Sequence, residues 1–247
     1  MIGADPGSCS LDFNPGTIQL PGEYSADPGT AGSTTLLLQV SLPCVVFSGS
    51  PSATPSALSL RGGTNATMAP QIDYIQHIFL PFMQRNFGLE PTLQIQKRGY
   101  FPRGGGEVLC YVPPIIGPLP ALKLTERGSI TSIKGQAHVG GLPYHIACKM
   151  RDGARDKLLS AGYEPASIEI DAVRERDDVT VGSGGGVILW AETSGGCLIG
   201  GTAVSSKGKP PADVGGMAAT ELIRNLEHGG CVDEYLQVHN ATLRCSA

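Results

Sequence analysis

The sequence predicts a mixed α/β protein of the α+β type, and three observations predict it. Strand-like and helix-like stretches follow one another as β-α-β-α-β-β between about residues 17 and 112. Gly104, Gly105 and Gly106 lead into a Val- and Tyr-rich run at residues 107–112, so they join two strands instead of carrying a strand into a helix. The composition is 41% hydrophobic and only 16% charged, with 34 glycines and 19 prolines, which suits a packed core joined by many tight turns.

Residues 17–25 carry the first strand, closed by a turn at Asp27-Pro28-Gly29. Ser33 caps a helix over residues 34–47. Leu36, Leu37, Val40 and Cys44 supply its apolar face, and Pro43 is expected to kink or end it. A loop at residues 49–55 leads to a short strand at 58–61, broken by Gly62-Gly63-Thr64-Asn65. Pro70 opens a helix over residues 71–86, with Ile72, Ile75, Phe79 and Phe82 on one buried stripe. That leaves His77 on the polar face with Asp73 and Gln84, as a solvated histidine and not a metal ligand. Gly88 stops the helix, and residues 91–96 and 107–112 are the last two strands of the unit. Residues 113–120 hold four prolines in eight positions and read as a linker.

A second region begins near residue 123. Strands are expected at residues 129–133 and 136–139, then a helix at 144–160. Two further strands, at 167–173 and 187–193, are separated by the glycine-rich residues 182–186. A helix at 212–226 turns Val214, Met217, Ala218, Leu222 and Leu226 inward and ends at His228-Gly229-Gly230. Residues 238–247 show no periodicity.

Charge and cysteine content exclude several classes. The net charge is −4, so a protein coating long nucleic acid is not expected, DNA is not an expected partner, and any contact with RNA should be local. Seven cysteines without a C-x-x-C pair read as free thiols, with Cys44, Cys110 and Cys197 as small core residues. No apolar stretch approaches the roughly 20 residues of a membrane span, so no membrane partner is expected. The start Met1-Ile2-Gly3-Ala4-Asp5-Pro6 does not read as a signal peptide, and two N-x-T triplets, at Asn65 and Asn240, are read as chance.

The most informative stretch is Arg98-Gly99-Tyr100-Phe101-Pro102-Arg103-Gly104-Gly105-Gly106-Glu107-Val108. Composition alone makes it a flexible loop. Its flanking strands make it a tight turn with exposed amides beside cations and rings, which suits a nucleotide or an RNA end. Arg98 and Arg103 are candidates for phosphate contact, with a pair of solvated hairpin arginines as the equally weighted alternative. This stretch, together with Arg61-Gly62-Gly63-Thr64-Asn65-Ala66, Met68-Ala69-Pro70-Gln71-Ile72-Asp73-Tyr74 and Asp233-Glu234-Tyr235-Leu236, resembles the RNA 3′-terminal phosphate cyclase family over about residues 15–237. The wording matches the cyclase branch and not the nucleolar cyclase-like branch.

The resemblance implies a βαβαββ repeat like the C-terminal domain of translation initiation factor 3, plus a smaller α/β insert. Residues 1–122 would be a partial cyclase domain, 123–230 the insert and 231–247 the start of the returning cyclase domain. It implies an ATP-dependent ligase-class enzyme of RNA processing, using ATP and Mg²⁺ to turn an RNA 3′-phosphate into a 2′,3′-cyclic phosphate through a histidine–AMP intermediate. Gln39 matches a residue near the ATP phosphates and the metal, and Pro70 and Tyr235 match two residues that sandwich the adenine. Asp73 and Tyr74 match positions lining the same pocket. Bottom-up, Gln39 could equally be a half-exposed helix position, Pro70 a helix-starting proline and Tyr235 a core or surface tyrosine. RNA 3′-phosphate ends are the implied partner, and the nucleus or nucleoplasm the implied location.

The chain also departs from the family. An early Glu-Gly-Gly-Gly-Gln segment and a downstream nucleophilic histidine are expected but not found, so the sequence reads as truncated at both ends. None of His77, His138, His145, His228 and His239 sits in the nucleophile's context, so no catalytic residue is assigned. Two readings stay open: a cyclase-family enzyme represented in part, or a non-catalytic module that binds a nucleotide or RNA end.

Overall fold

The computed structural model describes all residues except 1, 6, 15, 17, 18, 48–53, 116 and 238–247. The first half follows the expected order: β1 (Glu23–Ala26), α1 (Thr34–Val46), β2 (Ser56–Gly62), a helix in three pieces, β3 (Thr92–Gly99) and β4 (Gly106–Val112). The helix comprises α2 (Ile72–Tyr74), a π-helical segment Ile75–Phe79 and α3 (Leu80–Phe87), closed by Gly88 in the left-handed conformation at φ 65°. The second half is β5 (Ile130–Gly140), α4 (Tyr144–Ser160), β6 (Ile168–Arg174), β7 (Thr180–Val181), β8 (Gly184–Thr193), β9 (Leu198–Val204) and α5 (Pro211–Glu227).

Two mixed sheets result. One runs β1-β2-β4-β3-β7 and the other β6-β5-β8-β9. In the first, β1 and β2 are parallel, β2 and β3 flank β4 antiparallel, and β7 reaches over from the second half to pair in parallel with the end of β3. In the second, β5 and β6 are parallel and β5-β8-β9 run antiparallel.

Strand β8 shows how the layers are glued. Ile188 joins a core with Leu38 and Leu42 of α1, Ile75, Ile78 and Phe82 of the broken helix, and Val108 and Cys110 of β4. Its neighbours Val187 and Leu189 point the other way, into a core with Met150, Ala154 and Leu158 of α4 and Leu222 of α5. The second sheet is therefore covered on both faces, and the helix of residues 72–87 lies between the sheets. The contact is close enough to demand glycine: a Cβ on Gly200 of β9 would lie 2.5 Å from Ile78 Cδ1 and 2.9 Å from the Tyr74 ring.

Several expectations are corrected. Helix α1 is capped by Ser33, whose side chain accepts the Leu36 amide, but it runs through a buried Pro43 to Val46. Its buried face is Leu38, Leu42, Val45 and Val46, while Leu36, Val40 and Cys44 are exposed. The two strands expected at 129–139 are one strand, β5. Gly184, Gly185 and Gly186 belong to β8, and β9 was not anticipated. Met217 faces outward on α5. The proline-rich segment also packs, with Ile115 and Leu119 against the first core. Among the described residues six cysteines are free, and no helix is long and apolar enough to cross a membrane. The N-x-T triplet at Asn240 and His239 lie outside the described residues.

Candidate functional site

The glycine stretch forms the strand-turn-strand connection that its neighbours require. Gly104 donates its amide to the Tyr100 carbonyl at 2.9 Å, closing the turn between β3 and β4. The expectation of exposed amides fails for most of it. Gly99, Gly104 and Gly106 are buried. A Cβ on Gly99 would lie 2.2 Å from the Gly106 nitrogen and 2.5 Å from the Gly62 carbonyl, and one on Gly104 would lie 2.6 Å from the Thr30 carbonyl. These glycines let three backbone segments touch. Only Phe101, Pro102, Arg103 and Gly105 stay exposed at the tip.

Arg98 turns inward because of a bulge. The register of β3 shifts between Ile95 and Lys97, which moves the alternation by one residue and sends Arg98 to the side that Leu93 and Ile95 face. Its guanidinium grips both oxygens of Asp73 at 2.8 and 2.7 Å, and its Nε donates to Glu175 at 2.6 Å. Arg98 is 5% exposed and Asp73 1%. Burial alone would raise the Asp73 carboxyl. The Arg98 charge and its hydrogen bonds outweigh burial and hold it well below the usual carboxylate range. Arg98 is thus neither a solvated hairpin arginine nor a free phosphate ligand, whereas Arg103 is exposed as a phosphate ligand would need to be.

Asp73 anchors a buried polar network that sequence reading missed. Asn65 Nδ2 lies 2.7 Å from Gln71 Oε1, 3.3 Å from Asp73 Oδ2 and 3.1 Å from His138 Nε2. The Gln71 amide nitrogen donates to the carbonyls of Val187 and Ala203 at 3.1 and 3.2 Å, and to the Thr202 hydroxyl. An amide nitrogen can only donate, so His138 Nε2 accepts and its proton sits on Nδ1, which has no partner among the described residues. Burial pushes the pKa of His138 down to about 4. His77 is not solvated either: its ring stacks on Trp190 at 4.6 Å with planes 10° apart, and burial lowers its pKa.

The second locus joins the start of α2 to residues 233–236. The Tyr74 hydroxyl donates to Asp233 Oδ1 at 2.5 Å across 159 residues of sequence. Asp233 also accepts the amides of Gly200 at 2.7 Å and Leu236 at 2.9 Å. Burial raises its pKa, opposed by these bonds. Tyr235 meets Tyr74 edge to face, with centroids 5.4 Å apart, and remains half-buried. Tyr74 itself is fully buried. Asp73 and Tyr74, expected to line a nucleotide pocket, therefore face the interior and hold other groups in place. Pro70 is also buried, and its carbonyl accepts the Thr35 hydroxyl at 2.8 Å. Gln39 lies one turn beyond Thr35 on the same side of α1 and is half-buried. Thr35 on α1 is thus tied to Pro70, and Tyr235 to Tyr74 four residues further on.

Asn65, Gln71, His138, Glu175 and Asp233 complete the picture. One signal could have exposed them: Asp73 is a carboxylate flanked by Ile72, Tyr74 and Ile75, all buried, and a charge so enclosed needs partners.

The chain matches the family model of the RNA 3′-terminal phosphate cyclase over residues 1–244, wider than the span of its motifs. It is 36% identical over 238 residues to the RNA 3′-terminal phosphate cyclase of Staphylothermus marinus, covering 95% of this chain and 64% of that protein. The Pyrococcus furiosus protein of the same description is 36% identical over 235 residues, with the same coverage of 95% and 64%. A probable RNA 3′-terminal phosphate cyclase of Dictyostelium discoideum is 35% identical over 241 residues, covering 96% of this chain and 54% of that protein. The chain spans less than two thirds of the length of these relatives, yet nearly all of it is matched, and it belongs to the RNA 3′-terminal phosphate cyclase family.

Proposed function

We propose that the chain carries the nucleotide- and RNA-end-binding part of an ATP-dependent enzyme that closes an RNA 3′-phosphate into a 2′,3′-cyclic phosphate, and that it acts in RNA processing in the nucleus. One structural observation carries this beyond family membership. Two segments 159 residues apart are locked by the Tyr74–Asp233 bond, which fixes Tyr235 beside the helix start that bears Pro70. In this reading Tyr235 and Pro70 take the adenine and Gln39 faces the phosphates, while Asp73 and Tyr74 act as positioning residues beneath them.

The chemistry calls for such a site. A terminal phosphate monoester is a poor electrophile because its leaving group would be oxide. Transfer of AMP to it from ATP, with release of pyrophosphate, creates a phosphoanhydride. The neighbouring 2′-oxygen then forms a bond to the terminal phosphorus, the bond to AMP breaks, AMP leaves with the electron pair, and the hydroxyl proton passes to a base. Holding the hydroxyl next to the phosphorus removes most of the entropic barrier. Mg²⁺ would neutralise phosphate charge. Gln39 offers it one neutral oxygen, and among the described residues no group of three or more His, Cys, Asp or Glu could hold an ion. Nucleotide phosphates and water would therefore make up most of its shell.

Of the described histidines, His145 and His228 are exposed. His138 is sealed inside and His77 is stacked on Trp190. The binding-module reading makes a distinct prediction for the chain. Incubation with labelled ATP should yield bound nucleotide but no acid-labile, base-stable adduct. RNA recognition is tested by fluorescence anisotropy with oligoribonucleotides ending in 3′-phosphate or 3′-hydroxyl. A preference of about tenfold for the phosphate is expected from one charge-assisted contact, and equal binding would refute the reading.

A further inference from the structure

A cavity of about 670 Å³ opens beside the glycine turn, within the roughly 300–1,000 Å³ of small-molecule sites. None of Gln39, Pro70, Asp73, Tyr74 and Tyr235 lines it. Its walls come from several parts of the fold. Tyr100, Phe101 and Pro102 come from the turn, Ile146 and Val214 from the first turns of α4 and α5, and Lys207 and Lys209 from the loop before α5.

The lining is selective in charge. In a chain of net charge −4, the cavity has two lysines and no carboxylate. The Lys209 ammonium lies 3.0 Å from the Met217 sulfur, a weak acceptor that leaves its charge unneutralised. Both 17-residue helices begin at the rim, and neither N-cap, Pro143 nor Pro210, makes a side-chain capping bond. The first-turn amides of α4 add positive potential, whereas Asp213 in the first turn of α5 offsets that helix's own. Tyr100 is 2% exposed, lines the cavity, and its hydroxyl has no partner among the described residues. Phe101, by contrast, is 79% exposed at the mouth and offers a flat apolar face. Anion-attracting groups beside an open aromatic ring are what one nucleotide of a single strand requires.

The cavity also adjoins the proposed ATP locus. Asn65 lines it and bonds to Gln71, the residue after Pro70. We propose that this cavity takes one nucleotide of the RNA strand, its base against Phe101 and its phosphate on Lys207 and Lys209. The assignment rests on the RNA-end reading above and adds a subsite to it.

The test is anisotropy with a 3′-phosphorylated oligoribonucleotide on the full chain, across a salt series. Phe101→Ala should weaken binding about 5- to 150-fold, the range of one lost base–aromatic stack. Lys207→Ala with Lys209→Ala should weaken binding and flatten the log–log salt slope by about 0.7, the value for one lost phosphate contact. All three side chains are exposed, so folding is preserved. ATP titration of the same variants should match the parent chain. RNA binding unchanged in affinity and slope would overturn the subsite while leaving the RNA-end reading standing. Loss of ATP binding equal to the loss of RNA binding would assign the cavity to free nucleotide and also overturn it. No RNA binding by the parent chain would remove both proposals.

Discussion

Replacing Arg98 with alanine should be among the most damaging single changes in this chain. The guanidinium makes three charge-assisted bonds of 2.6 to 2.8 Å, two to Asp73 and one to Glu175. Side-chain exposure is 6% for Arg98 and 1% for Asp73, so water cannot replace what is lost. Truncation leaves a carboxylate buried without its counter-charge, and such half-broken pairs cost about 3–5 kcal/mol. Glu175, at 22% side-chain exposure, can turn to solvent and adds little. Urea unfolding at pH 7 measures the loss directly. Adding Asp73→Asn to Arg98→Ala removes the orphaned charge, so the double variant should lose less than the sum of the two single changes. The pH dependence follows from the sign of the shift. The folded-state pKa of Asp73 lies below its unfolded value near 3.9, so the pair's contribution is complete above about pH 4. It fades as the pH falls below that, and the gap between parent and Arg98→Ala should narrow with it. A loss under about 1 kcal/mol at pH 7, the range of an exposed pair, would refute the buried-pair account.

Three further outcomes are expected. Glu221 on α5 accepts the Thr202 amide at 3.1 Å, and burial lifts its pKa to about 7. A raised carboxyl costs stability when ionised, so the parent should weaken as the pH rises from about 4.5 through 7. Glu221→Gln should then gain roughly 1–2 kcal/mol at pH 8 and little at pH 4, after discounting for solvent screening; equal thermal midpoint shifts at both pH values would contradict this. Gly99→Ala forces a methyl against the Gly106 nitrogen and the Gly62 carbonyl, and should cost about 1–3 kcal/mol or more in denaturant unfolding. Tyr235→Ala should weaken ATP binding about tenfold by calorimetry, while Tyr235→Phe keeps the ring and most of the affinity.

The order of elements was legible because turn residues and short apolar runs announce themselves locally. What failed needed knowledge of neighbours. Helix α1 is apolar nearly all round, so Leu36-Val40-Cys44 and Leu38-Leu42-Val45 are equally good stripes on spacing alone, and only the sheet beneath it selects the second. Strand β9 hid behind Gly200-Gly201. These glycines are required because the broken helix presses on one face of the strand and α5 on the other, where a Cβ on Gly201 would lie 2.4 Å from the Leu222 nitrogen. The π-helical segment adds a residue to the turn, which takes His77, inside it, off the face that a regular helix gives it.

The same reasoning recasts the glycine turn. By sequence it reads as a tight turn whose exposed amides suit a nucleotide or an RNA end. In the fold, Gly99 and Gly106 let β2, β3 and β4 close on one another at the point where the β3 bulge turns Arg98 inward. That close approach carries the guanidinium to Asp73 at the start of the broken helix, and Asp73 in turn holds Asn65 beside Gln71. The next residue, Tyr74, grips Asp233 and so sets Tyr235. The turn's contribution to a site is thus divided. Its buried end fixes the framework on which the proposed nucleotide residues stand, and its exposed tip, Phe101 to Arg103, is left to meet the substrate. Variants at the two ends should separate accordingly: Gly99 and Arg98 in stability, Phe101 in RNA affinity with stability unchanged.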